Sequence, residues 1–107
     1  MQPGEIHLIQ FDPGVGSEIQ KSRPGLVIQK SPQRNTVIVL PISSKKLTHP
    51  LYEIELRKED QNHLYVDSVV ILDQIKSFDK RRFVGKIGEI QPAQLADIIL
   101  KFKNILQ

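Results

Sequence analysis

The sequence has no cysteine and no tryptophan, one methionine and three histidines. Without cysteine there is no disulfide, no thiolate zinc cluster and no thiol nucleophile. Such a chain suits a reducing compartment. Long apolar runs are also missing. No stretch approaches the roughly 18 apolar residues of a membrane span. The opening MQPGEIHLIQF lacks the basic and apolar regions of a signal peptide. These absences predict a soluble, cytoplasmic protein with no membrane partner. His7, His49 and His63 stand far apart in sequence, with no H-x-x-x-H pair and no carboxylate cluster beside them. They are expected at the surface or at strand ends, and no metal or other cofactor is assigned.

What is present fits one globular domain spanning residues 1–107. Hydrophobic residues make up 39% and charged residues 25%, a balance that excludes a disordered chain. The core must be small, which favours pairing with a second copy. The net charge of +3 leans mildly toward anionic partners. The basic residues cluster at Lys45-Lys46 and Lys80-Arg81-Arg82, with Lys86 close behind, whereas the acidic residues are more evenly spread.

The first two-thirds of the chain reads as short strands. GEIHLIQF alternates through Ile6, Leu8 and Phe11. PGLVIQK and NTVIVLP are β-branched runs. LYEIEL sets Tyr52, Ile54 and Leu56 against Glu53 and Glu55. VDSVVILDQI is a longer apolar run with a polar end, and RFVGKIGEI carries two glycines, as a bent strand or barrel corner would. Pro and Gly mark the joins at Pro13-Gly14, Gly16-Ser17, Ser31-Pro32 and His49-Pro50. Many short strands of this kind predict a small sandwich or barrel. The tail QPAQLADIILKFKNILQ differs. Leu95, Ile98, Ile99, Phe102, Ile105 and Leu106 follow helical spacing, and Pro92 fits the first helical position. This is one amphipathic helix packed on the sheet.

Several polar positions could carry chemistry. Gly14-Val15-Gly16 lacks the third glycine of a dinucleotide fingerprint. It reads as a loop offering backbone N–H groups to a ligand. Arg23 precedes Pro24, which holds it extended. Its planar fork matches phosphate oxygens, although spacing alone favours a structural pair with Glu18. Ser43 and Ser44 end the VIVLP strand beside Lys45-Lys46, where a hydroxyl suits an anionic transition state or simply a turn. Asp73-Gln74 ends an apolar run ahead of Lys76 and the basic triplet. His49 follows a basic loop and could reach a phosphate, but a histidine ribonuclease needs two imidazoles and a cation to converge.

Taken in order, these segments resemble the MazF/PemK family of toxin endoribonucleases. GEIHLIQFDPGVGSEIQKSRPGLVIQ is similar to the family's opening strand, D-P turn, G-S-E loop and R-P strand. VLPISS is similar to its P-x-T-S segment, and DSVVILDQIKSFDKRRFVGKIGEI to its D-S-V…Q…D-K-R stretch. The resemblance implies an SH3-like β-barrel with a C-terminal helix, working as a homodimer. It implies metal-independent cleavage of single-stranded RNA, often mRNA, at short sequences. It also implies an antitoxin whose disordered tail covers the site. Carried over, Arg23 matches the catalytic arginine and Ser43 the catalytic threonine, here without the methyl. Glu18 matches the loop glutamate and Gln74 the glutamine near the RNA path; the resemblance implies that Arg23 takes part in proton transfer, which leaves Glu18 and Arg23 as the alternatives for the base. Gly16, Ser17, Ser44, Lys45, Lys46, His49, Lys76, Lys80, Arg81 and Arg82 are the further candidates for RNA contact. Two other readings remain: a non-catalytic SH3-like binding module, and a barrel toxin acting on a protein target such as gyrase.

Overall fold

The computed structural model describes residues 1–11, 22–31 and 33–106. Seven strands form one antiparallel sheet: β1 (Glu5–Gln10), β2 (Ser22–Lys30), β3 (Thr36–Ser43), β4 (Glu53–Leu56), β5 (Ser68–Ile71), β6 (Lys76–Asp79) and β7 (Phe83–Glu89). Short 3-10 turns at Leu72–Gln74 and Lys80–Arg82 flank β6, and α1 (Pro92–Ile105) closes the chain. The strand order is β4-β5-β3-β2-β1-β7, with β6 also pairing with β3. β3 therefore carries β6 along Thr36–Val39 and β5 at Ile42–Ser43. That branching curls the sheet into the barrel-like fold expected from the many short strands.

Both faces of the central strands are covered, which explains their near-continuous apolar runs. Leu26, Leu40 and Ile42 join Ile6, Val70, Leu72 and Ile98 in one cluster. Val27, Val37 and Val39 join Ile9 and Phe78 in the other. The same double coverage revises the expected alternation in β1. Ile6, His7 and Ile9 are buried, while Leu8 is only half-buried. Register shifts against β7 at Ile6/His7 and Leu8/Ile9 bend the strand. His7 is thus not a surface histidine. Its Nε2 lies 2.8 Å from Glu5 Oε1, and its ring meets Phe83 edge to face.

The α1 helix begins as its sequence predicts. Gln91 and Gln94 form a reciprocal capping box around Pro92. Ile98 is buried against the first cluster, with Leu95, Phe102 and Ile105 packed beside it. Truncating a side chain so placed to alanine costs roughly 2–5 kcal/mol. Leu106 lies beyond the helix and is exposed, because α1 ends one residue earlier. Among the described residues no helix is long and apolar enough to cross a membrane.

The β4 strand departs from its predicted pattern. Glu53 and Leu56 are buried, and Tyr52 is exposed. A glutamate can face inward here because its carboxylate is fully engaged, as described next.

Candidate active site

Arg23 stands near the start of β2, opposite Ile9 of β1. The β2–β3 register pairs Leu26 with Leu40 and Gly25 with Pro41. The ladder ends there, with Arg23 two residues before Gly25 and Ser43, the last residue of β3, two residues after Pro41. Gly25 makes this close crossing possible. A Cβ there would meet Ile9 Cδ1 and Val39 Cγ1 at 2.6 Å. The R-P-G sequence thus combines an extended arginine with a residue small enough to lie between two packed strands.

Arg23 and Ser43 open onto one cavity of about 970 Å³. Ser44 and Gln74 line it as well, Gln74 being brought there by the 3-10 turn that ends β5. Leu8, Phe11, Pro24 and Ile71 supply much of its apolar wall. Four of the residues singled out from sequence therefore converge on a single concave surface. The ion pairs formed among the described residues do not include Arg23. Gly16, Ser17 and Glu18 lie outside the described residues.

A smaller pocket of about 390 Å³ adjoins the first and shares Ile71 and Gln74 with it. Lys45, Thr48, His49, Tyr52, Glu53 and Asp73 complete its lining. Glu53 organises this side. Its Oε2 takes the Lys45 ammonium at 2.6 Å, and its Oε1 accepts the backbone N–H groups of Thr48 and His49 at 3.1 and 3.3 Å. The Lys45 hydrogen bond leads the effects that pull the Glu53 carboxyl down to about 2. Lys101 of α1 donates to the Glu53 carbonyl at 2.8 Å, tying the helix to the same point. Lys45 is consequently a structural cation with a counter-ion in place, whereas its exposed neighbour Lys46 is not paired this way.

The other basic candidates do not gather at the cavity. Lys76 lies over the Phe78 ring, 5.3 Å from its centroid. Lys80 and Arg81 follow β6, beside the start of β3, because Asp79 pairs with Thr36. Seven residue steps along β3 lead from that end to Ser43, on the order of 20 Å of strand. Arg81 is held by Asp79 through bonds of 3.1 and 3.3 Å, which lowers the Asp79 carboxyl and raises the guanidinium. The adjacent Lys30 ammonium holds Lys80 below the ordinary lysine value. Arg82 donates to the Gln10 carbonyl at 2.7 Å.

Sequence reasoning missed the segment between β4 and β5. Asn62 is buried; its Oδ1 accepts from Glu59 and Leu64 N–H, both at 3.0 Å, and its Nδ2 donates to the Arg57 carbonyl at 2.8 Å. This fold brings His63, Leu64, Tyr65 and Val66 to the cavity rim, where Tyr65 is 96% exposed. Nothing in the spacing of the histidines marks His63, since its place depends on docking against β7. Among the described residues no group of three His, Asp or Glu side chains is arranged as metal ligands would be.

Comparison with known proteins agrees with this architecture. The family described as PemK-like, MazF-like toxin of type II toxin–antitoxin system matches residues 2–106. The chain is 30% identical over 103 residues to the endoribonuclease MazF of Staphylococcus saprophyticus, covering 92% of this chain and 84% of that one. It is 27% identical over 106 residues to endoribonuclease MazF9 of Mycobacterium tuberculosis, covering 92% and 89%. The crystal structure of MazF from Deinococcus radiodurans superposes with a TM-score of 0.77 at 26% identity, over 99% of this chain and 96% of that one. With matching segments in order, the same fold and a family match over nearly its whole length, the chain belongs to the PemK-like, MazF-like toxins of type II toxin–antitoxin systems.

Proposed function

We propose that this chain is an endoribonuclease toxin that cuts single-stranded RNA, mRNA included, at short sequences without a metal ion. The carrying observation is the convergence of Arg23, Ser43, Ser44 and Gln74 on one cavity. In the reaction the ribose 2′-oxygen attacks the adjacent phosphorus, and the 5′-oxygen leaves. The products are a 2′,3′-cyclic phosphate and a 5′-hydroxyl. Arg23 stabilises the phosphorane and orients the phosphate through its planar fork. A guanidinium is a poor base, because it gives up a proton only under strongly alkaline conditions. Ser43 donates to a non-bridging oxygen. Gln74 bridges the two pockets and suits contact with a neighbouring nucleotide, alongside Ser44, Lys46 and His49.

The same reading carries a homodimer and an antitoxin whose disordered tail covers the site. Exposed apolar groups at the rim, Tyr65 and Val66, support a partner on this face. Induced expression tests the reading. It should arrest growth and leave fragmented RNA with cyclic phosphate ends. Arrest with intact RNA would point to a protein target such as gyrase, and no arrest would point to a binding module.

A further inference from the structure

The strands at the two ends of the sheet order, β4 and β7, are bridged by the segment between β4 and β5. The Gln61 carbonyl accepts the Glu89 N–H of β7 at 3.1 Å, and His63 Nδ1 lies 2.6 Å from the Ile87 carbonyl oxygen. The chain turns at His63, where φ is 55°, and enters β5 at Ser68. Tyr65 sits between these two points, at the rim of the cavity that holds Arg23 and Ser43, and is 96% exposed. We propose that the Tyr65 ring is a stacking platform for one base of the bound RNA, close to the scissile phosphate. The inference deepens the ribonuclease reading above and rests on it.

The backbone on both sides of the ring is held. The Leu64 N–H donates to Oδ1 of the buried Asn62 at 3.0 Å. The Ser68 hydroxyl donates to the Val66 carbonyl at 3.0 Å, and Asp67 Oδ1 accepts the Lys58 N–H at 2.9 Å. A Cβ on Gly88 would meet the Asn62 carbonyl oxygen at 2.5 Å, so the segment lies directly on β7. A tyrosine has only two side-chain torsions, so on a held backbone it loses little freedom when something covers it. At its exposure the ring adds almost nothing to folding by burial. Its apolar surface gains free energy only from what docks on it.

The chemistry of the cavity fits a nucleotide. Arg23 and Ser43 offer donors suited to a phosphate, while Leu64, Val66 and Ile87 add apolar surface beside Tyr65. A volume of about 970 Å³ is far more than one phosphate fills and matches pockets that take whole drug-sized ligands. A nucleotide offers the complementary pair: an anionic phosphate and, one sugar away, a flat ring with apolar faces and polar edges. Single-stranded RNA can splay an unstacked base onto an aromatic side chain. Such a contact tolerates any base, because every base has a π-face. Tyr65 therefore adds affinity and sets where the strand lies relative to Arg23, and leaves base choice to other groups.

The test is a double-mutant cycle between the ring and the base. A short RNA that wild type cuts is made uncleavable by a 2′-deoxynucleotide immediately 5′ of the cleaved bond, and its positions are made abasic one at a time. Dissociation constants are measured for wild type, Tyr65→Ala and Tyr65→Phe, with thermal melts to check that the variants fold. Tyr65→Ala should weaken binding of the intact RNA at least about fivefold, the low end for one stacked base. Tyr65→Phe keeps the ring and should recover most of that loss. One abasic position should weaken wild type by a similar factor and cost Tyr65→Ala nothing more, which a merely structural role would not produce. An unchanged affinity in Tyr65→Ala overturns the stacking and leaves the ring to a protein partner. Equal losses in both proteins at every abasic position, or a Tyr65→Phe as weak as Tyr65→Ala, overturn it too. A wild type that cuts no RNA overturns the ribonuclease reading together with it.

Discussion

At one end of the β2–β3 pair stand Arg23 and Ser43; at the other stand Lys30 and Lys80. Both ends are basic in sequence, and both belong to segments that resemble the toxin ribonucleases. Their surroundings differ. The first end opens onto a cavity of about 970 Å³ with hydroxyl and amide groups around the guanidinium. At the second, Arg81 is bonded to Asp79, and Lys80 is crowded by another ammonium. The first end gathers guanidinium, hydroxyl and amide donors on one cavity. The second offers cations without a cavity, which hold charge without fixing geometry. Under the proposed function, chemistry belongs to the first end and the second is a distant electrostatic contact.

Substitutions at four positions sharpen or break that contrast. Arg23→Ala should cost the most, about 100- to 1,000-fold in the single-turnover rate, as loss of a transition-state donor does. Arg23→Lys keeps the charge without the fork and should still cost at least about tenfold, roughly 1.4 kcal/mol. Wild-type turnover in Arg23→Lys would show that bidentate geometry is dispensable. Ser43→Ala should lower the rate by about tenfold, again near 1.4 kcal/mol, while Ser43→Thr should be tolerated. A harmless alanine would remove Ser43 from the site.

The third change acts on stability. Glu53 ionises at about 2 in the folded chain, against 4.5 as its ordinary value. As pH falls, the unfolded chain takes up this proton first. The stabilisation is therefore complete above about pH 4.5 and lost as pH drops toward 2. Thermal melts should show that acid sensitivity in wild type and a smaller dependence in Glu53→Gln. Identical slopes would mean that the carboxylate is not the anchor of the Lys45–His49 turn. Lys80→Ala should do least. Its maximal rate should stay at wild type, while the logarithmic salt slope of RNA binding falls by about one. A large fall in turnover would erase the distinction between the two ends.

Much of this arrangement was legible before any coordinates. The β-branched runs became β2 and β3 because strands covered on both faces need little polar relief. The stripe from Leu95 to Ile105 became α1 with its capping box. Arg23, Ser43 and Gln74 were marked by their neighbours in sequence and do share one cavity. Other features depend on contacts between distant segments. Glu53 looked outward by alternation, and its burial follows from Lys45 and two backbone N–H groups eight or fewer residues away. His63 carried no motif; its place comes from the Ile87 carbonyl, 24 residues on. Lys80 and Arg81 read as candidates for RNA contact, and only the β3–β6 register shows that they follow Asp79 at the end of β3 away from Ser43.

The central claim is that the Arg23–Ser43 cavity promotes attack by the 2′-hydroxyl. The most direct measurement is mass spectrometry of products from a short RNA incubated with the protein and EDTA, beside the same RNA bearing one 2′-deoxynucleotide immediately 5′ of the cleaved bond. The account predicts 2′,3′-cyclic phosphate and 5′-hydroxyl ends from the first and no cut at that bond in the second. Ends bearing a 5′-phosphate, or cleavage of the 2′-deoxy substrate at the same bond, would contradict it.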